Sequence, residues 1–372
     1  MKFRSIGIDW LLVVFLLPVL LAGLITMKSF TESTPYFSHQ LMWIGVSFTI
    51  FFILSYVDFR FLKRTDVLVM LFSVFSFLLL LLFVMGHTSN GAKSWFSLGG
   101  FSYQPSDMMT LVVILMLAKY FSRRHVEIDN FKHIFISGLY AFIPFLFVFL
   151  QPDFGSAIII VFIWIGLTLV SGISRRYFLT ILGIGFIALV FLWSFAFHTY
   201  QKERILNFIT PLSNIRGSGY NVYQSTIAVG SGRLTGKGVG FGTQSRLKFL
   251  PEYQTDFIFA AFVEEWGFVG AMILFLLLGL IIWRILHIAL LGATNFEILY
   301  GVGLSIYLMS HFIINIGMNI GIMPVTGITL PFMSYGGSHL MTEFTGLGIL
   351  MGMNRYRRVA HKDDMRNEFL GI

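Results

Sequence analysis

The chain has 372 residues, of which 56% are apolar, 17% aromatic and only 12% charged, with a mean hydropathy of +0.80. A soluble domain carries about 25% charged residues, so this composition excludes a string of water-soluble domains and leaves one integral membrane domain, residues 1–372. No Cys is present, which excludes a disulfide framework, Cys-based zinc sites and thiolate catalysis together; the formal charge of +8 is spread between apolar segments, which argues for a topology signal and against nucleic acid.

Taken in chain order, apolar runs that approach the ~20 residues of a bilayer-spanning helix fall near 10–26, 41–57, 67–86, 107–121, 133–150, 155–173, 177–197, 267–289, 296–321 and 335–354. The expected fold is therefore an all-α integral membrane protein of about ten transmembrane helices. The first run lacks a small-residue cleavage site after Leu24 and is expected to stay in the mature chain. Placing the N-terminus in the cytoplasm puts Lys2, Arg4, Arg60, Lys63, Arg64, Arg123, Arg124, Lys132, Arg175, Arg176 and Arg284 inside, while the short outer loops hold Lys28 and Lys93. The positive-inside rule thus predicts cytoplasmic termini, with 355–372 as a frayed cytoplasmic tail. The 42 Phe and 17 Met residues read as lipid-facing and packing surface.

A large extracytoplasmic loop, 198–256, follows the seventh span, and a connector of that length is usually functional. It carries Arg204, Arg216, Arg233, Lys237, Arg246 and Lys248 among glycines at 217, 219, 230, 232, 236, 238, 240 and 242. Glycines at this spacing allow close backbone approach, and cations among them suit a phosphate or diphosphate. A nucleotide fold is not indicated, since no strand and helix flank the Gly-rich run.

Five carboxylates lie near the apolar outer surface: Asp107, Asp153, Asp256, Glu264 and Glu265. A carboxylate at a membrane edge is either functional or part of a buried ion pair. Asp256 precedes the apolar run Phe257 to Val263, so Thr255 or Asp256 is equally readable as a helix N-cap. If that helix continues, Glu264 lies about 80° around from Asp256 and shares its cleft, while Glu265 lies about 180° away. Asp153, with Pro152 and Gly155, reads as a structural turn in a short outer connection. The uncharged stretch from Met323 to Ser338, with Pro324, Gly327, Pro331, Gly336 and Gly337, must be buried or line a cavity, and so shapes the cleft beside Asp256. Ser334, Tyr335 and Ser338 within it are candidate donors to a sugar or diphosphate.

Several blocks carry a family resemblance. They are Gly91 to Trp95, Gln104 to Asp107, Gln151 to Ala157, Tyr223-Gln224, Gly230 to Gly238, Gly242 to Ser245, Phe249 to Gly267 and Asn315 to Ser338. In this order they resemble the SEDS family of shape, elongation, division and sporulation proteins, and its RodA branch more than the division paralogue. The resemblance implies a ten-helix peptidoglycan glycosyltransferase that polymerises lipid II on the outer face of the bacterial cytoplasmic (inner) membrane. It implies that Asp256 is the essential residue, and that a class B penicillin-binding protein and other elongation-complex proteins are the partners. Two departures stand out. Gln254 occupies a position where the family usually has His, and Asp107 with Thr110 replaces a Glu followed by Lys, so the carboxylate is one methylene shorter and that cation is gone.

Joining an α-linked sugar diphosphate to a hydroxyl with inversion needs a base for the hydroxyl proton and positive charge for the departing diphosphate. Asp256 is the candidate base. Lys93, Arg204, Arg216, Lys237, Arg246 and Lys248 are candidates for the undecaprenyl diphosphate leaving group, alone or with a divalent cation, Mg or Mn; no organic cofactor is expected. Each cation has the plainer reading of a solvated loop charge. A lipid II transporter is the alternative class, although transporters usually show symmetry between halves; a scaffold would leave the carboxylate and the cationic loop idle.

Overall fold

The computed structural model describes residues 8–29, 36–89, 92–98, 101–123, 131–197, 201–202, 205–206, 208, 210 and 219–370. The long helices follow the expected spans: α1 (Trp10–Ser29), α2 (Tyr36–Ser55), α3 (Thr65–Met85), α4 (Pro105–Ser122), α5 (Phe131–Leu150), α6 (Phe154–Val170) and α7 (Arg175–Phe191) in the first part of the chain. Two short helices come next, α8 (Tyr220–Ser231) and α9 (Thr243–Arg246), and then α10 (Ile258–Leu290), α11 (Asn295–Asn319) and α12 (Gly337–Leu370). Among the described residues, eight helices are long and apolar enough to cross a membrane, with α6 a shorter apolar helix of 17 residues. The protein is a multi-pass membrane protein.

Helices α4 and α11 form the centre, largely buried, while α7 has no buried residue in its apolar window. Small residues on α11 explain the close packing there: a side chain at Gly301 would strike Ala289, and one at Gly303 would strike Ile114. Around this pair, α2 lies along α12, α1 along α10, and α6 against both α4 and α11. Charges cluster where helices end. Arg284 makes a two-pronged pair with Asp9, and Lys63 meets Glu297 at 3.2 Å.

Three features depart from the expected plan. The connection after α3 is not irregular but folds into an antiparallel three-stranded sheet, β1 (His87–Ser89), β2 (Ala92–Leu98) and β3 (Phe101–Tyr103), with Trp95 opposite His87 and Phe96 opposite Tyr103. The 198–256 segment contains α8, whose Val222, Ser225 and Ala228 are buried as it packs on α10. The tail expected to fray beyond residue 355 instead continues α12 as helix to Leu370.

The most consequential departure is in α10. At Gly267 the backbone takes φ 68 and ψ −166, which breaks the helix after Trp266. The freed groups are satisfied by the Gly-rich loop. The N–H groups of Phe268 and Val269 donate to the carbonyls of Arg233 and Leu234 at 2.9 and 3.1 Å, while the carbonyls of Glu264 and Glu265 accept from Lys237 and Gly238, each at 3.0 Å. Unpaired backbone groups at membrane depth cost several kcal/mol each, roughly, so the loop completes the helix. Only glycine fits the crossing: a Cβ at Gly236 would stand 2.0 Å from the Glu265 carbonyl oxygen.

Candidate active site

Asp256 lies two residues before α10, and its backbone is firmly held. Ser334 Oγ donates to the Thr255 carbonyl at 2.7 Å, the Tyr335 N–H donates to the Gln254 carbonyl at 2.8 Å, and the side-chain amides of Asn315 and Asn319 both donate to the Asp256 carbonyl at 3.0 Å. Three consecutive carbonyls are thus held from α11 and from the 327–335 crossover. The carboxylate itself is partly exposed and lies against Gly327, Oδ2 being 3.5 Å from where a Cβ there would stand.

The N-cap position of α10 falls on Phe257, one residue after Asp256. No side chain at the start of α10 caps it; the N–H of Ala260 is satisfied by Asn319 Oδ1 at 3.1 Å, a cap supplied from another helix. Asn319 is held in turn by Ser225 of α8, which donates to its carbonyl at 2.7 Å. Asn315 and Asn319 lie within the Asn315 to Ser338 block, where the sequence alone assigns them no role. Two buried amides four residues apart on an apolar helix were the available signal.

Glu264 is not in the cleft with Asp256, because the loop threaded through the helix break recruits it. It is fully buried and accepts from Lys237 Nζ at 2.7 Å, from the Gln244 N–H at 3.0 Å and from the Thr243 hydroxyl at 3.2 Å. Glu265, also buried, accepts from the Gly240 N–H at 2.6 Å. Lys237, one of the expected diphosphate cations, is therefore an ion-pair partner that pins the loop. Lys93 on β2 donates to the Phe83 carbonyl at 2.7 Å, at the end of α3, where its charge opposes the helix dipole. Arg246 and Lys248 are exposed on the loop. Arg204 and Arg216 lie outside the described residues.

A second polar group lies at the start of α4. Asp107 is buried and accepts from Ser338 Oγ at 3.2 Å; Ser338 accepts from the Gln104 N–H at 3.1 Å. Gln104 also donates through Nε2 to Asp153 at 2.8 Å, and Asp153 caps α6 by accepting from the Ser156 N–H at 3.0 Å. Thus Asp153 sits in the connection before α6 as a cap, and Gly155 lets the 326 backbone approach, since a Cβ there would meet the Thr326 carbonyl at 2.8 Å. Pro331 is buried; Gly336 donates to Gln40 Oε1, and Gly337 packs under the Trp43 ring. Ser334 and Ser338 spend their hydroxyls on internal bonds. Tyr335 packs edge-on against Tyr36. Burial, and then the Asp107 charge, pushes Tyr103 up to about 12, so this phenol stays neutral at the edge of the group.

Beside Thr326, a narrow, mostly apolar groove runs between Phe154, Phe197, Gln201, Ile205, Pro324 and Val325. Among the described residues no group of three or more His, Asp or Glu converges as a metal site.

Comparisons with known proteins agree on one family. The FTSW_RODA_SPOVE family, described as cell cycle protein, matches residues 5–359. Stage V sporulation protein E of Bacillus subtilis is 37% identical over 365 residues, covering 94% of this chain and 98% of that protein. Peptidoglycan glycosyltransferase MrdB of Escherichia coli K12 is 41% identical over 279 residues, 74% of this chain and 75% of that one. Among solved structures, a chain from a peptidoglycan synthase complex superposes with a TM-score of 0.80 at 30% identity, covering 94% and 98% of the two chains. The rod shape determining protein RodA of Thermus thermophilus superposes with a TM-score of 0.71 at 27% identity, covering 96% and 99%.

Proposed function

The chain belongs to the FtsW, RodA and SpoVE family of cell cycle proteins, and we propose from this that it is a peptidoglycan glycosyltransferase which joins lipid II units into glycan strands during cell elongation. Asp256 is the general base. The observation that carries this role is the clamp on the carbonyls of 254, 255 and 256: it fixes the backbone that carries a partly exposed carboxylate beside Gly327. A base held in this way takes the acceptor hydroxyl proton as the new glycosidic bond forms and the bond to undecaprenyl diphosphate breaks with inversion. The mostly apolar groove beside Thr326 is the candidate path for the isoprenoid chain.

Of the expected leaving-group cations, Arg246 and Lys248 are the described ones without a carboxylate partner in the loop, and they are the candidates for the diphosphate. A magnesium or manganese ion, if used, would bind largely through the substrate phosphates and add positive charge to the departing diphosphate. The reading places the protein in the bacterial cytoplasmic membrane, with both termini inside, the cleft outside, and a class B penicillin-binding protein transpeptidase as partner. Cysteines introduced singly should label from outside at Gln244 and from inside at Lys362; outside labelling at Lys362 would overturn this topology.

The decisive assay is glycan synthesis from labelled lipid II in detergent, where no membrane barrier exists. Wild-type protein with its transpeptidase partner should make glycan chains, and Asp256→Asn should not. A wild type silent in that assay, yet moving lipid II across liposomes, would replace the polymerase with a transporter.

A further inference from the structure

The transfer reaction as proposed leaves a set of buried ionisable side chains unused. His339 on α12 stands between two carboxylates: its Nδ1 is 3.7 Å from Asp107 Oδ1 on α4, and its Nε2 is 3.1 Å from Glu343 Oε1 one turn further along α12. Tyr307 and His311 of α11 close the group, with the Tyr307 hydroxyl 3.4 Å from His339 Nδ1 and the two imidazole rings 4.6 Å apart. All five side chains are buried, Glu343 completely. Two carboxylates in such a place cost several kcal/mol each to desolvate, in rough terms, unless a positive charge compensates them. A protonated His339 is the group placed to supply it.

Glu343 has a second attachment. Its Oε2 accepts the N–H of Phe332 at 3.1 Å. Phe332 is buried with φ 61, a left-handed backbone that a bulky residue without a special reason does not adopt and that costs on the order of 1–3 kcal/mol. The turn it forms leads straight to Ser334 and Tyr335, the residues that grip the carbonyls of Thr255 and Gln254. One carboxylate on α12 therefore touches both the charged group around Asp107 and the strained turn that feeds the Asp256 clamp.

We propose that Glu343, with His339 as its counter-cation, is a positioning residue of the glycosyl transfer: it holds the strained turn at Phe332 and, through that turn, the backbone that aims Asp256. The inference rests on the reading of Asp256 as the base. A displacement of about 1 Å at a reacting group can cost on the order of 10²-fold in rate, so a joint of this kind acts on the chemical step without touching substrate.

The test uses the full chain with its transpeptidase partner, lipid II as substrate, and hydrogen–deuterium exchange of peptides covering 251–257 and 327–335. Glu343→Ala should lower kcat by about 10–100-fold with KM nearly unchanged and exchange raised in both peptides. Glu343→Gln keeps an acceptor for the Phe332 N–H and should lose far less. His339→Gln should lower kcat, because it leaves two buried carboxylates uncompensated, and the double variant His339→Gln/Glu343→Gln should recover most of it. If Glu343→Ala fails to fold, the Gln variants decide the matter, and no recovery in the double variant overturns the proposal. Unchanged exchange over 251–257 in Glu343→Ala, or full kcat in that variant, also overturns it. Asp256→Asn is measured alongside: glycan synthesis persisting there removes the base assignment, whereas the exchange result judges the link from Glu343 to the clamp separately.

Discussion

Asp256 and Glu264 are two carboxylates eight residues apart, one before α10 and one near its break, and they are held in opposite ways. Glu264 is gripped by its side chain: an ammonium, a hydroxyl and backbone amides converge on its oxygens, and no water reaches it. Asp256 is gripped by its main chain, with the carbonyls of 254 to 256 bound from α11 and the crossover. A carboxylate whose oxygens are committed to neighbours serves the fold. One whose backbone is committed is aimed in a fixed direction.

Four substitutions sharpen or break this contrast, the largest effect first. Asp256→Asn should reduce glycan synthesis by about 10²–10⁴-fold, the contribution of a positioned base, while the melting temperature in detergent stays unchanged; a large loss of stability would make Asp256 a structural residue like Glu264. Glu264→Ala should do the reverse. Removing one member of a buried pair costs about 3 kcal/mol or more, and with Lys237 partly solvated the lower figure is expected, read as a fall in melting temperature with kcat changed less than tenfold. If instead kcat collapses and stability holds, Glu264 belongs to the reaction.

Asn319→Ala lies between the two. It removes the cap on Ala260, about 1 kcal/mol, and leaves the Asp256 carbonyl with one donor fewer, so both stability and kcat should fall, the latter about tenfold. Asn319→Asp retains an acceptor for Ala260 but sets a carboxylate oxygen against the carbonyls of Asp256 and Asn315 at a fully buried position, so both stability and rate should fall further than in the alanine variant. Lys93→Gln is the mildest. Its ammonium faces the end of α3, a contact worth about 0.3–1 kcal/mol, and glycan synthesis should be nearly unaffected; a strong loss would return Lys93 to the diphosphate.

The membrane-spanning helices were legible because apolar runs of the right length are a one-dimensional signal, and each long helix falls on one. Asp256 was legible through its motif and through its place before an apolar run. What surrounds it was not. Asn319 acts on a carbonyl 63 residues earlier and Ser334 on one 79 residues earlier, and Ser338 meets Asp107 across 231 residues. Such partners share no local pattern. Lys237 and Glu264 were both picked out, but as substrate ligands, since spacing reveals a charge and not whether another charge cancels it. The outer sheet and α8 went unseen for a simpler reason: short elements inside Gly-rich connections carry too few apolar positions to display a period.

The clamp also has an order of assembly written into it. The chain emerges from the ribosome N-terminal part first, so Gly236 meets Gly267 soon after synthesis, with a short loop to close, and the Gly-rich segment locks into the broken helix early. Asp256 is made at about the same moment, but its carbonyls wait for Asn315, Asn319, Ser334 and Tyr335. A chain stalled before α11 would carry the catalytic carboxylate on slack backbone, and the enzyme gains its aim only as α11 and the crossover after it are laid in place.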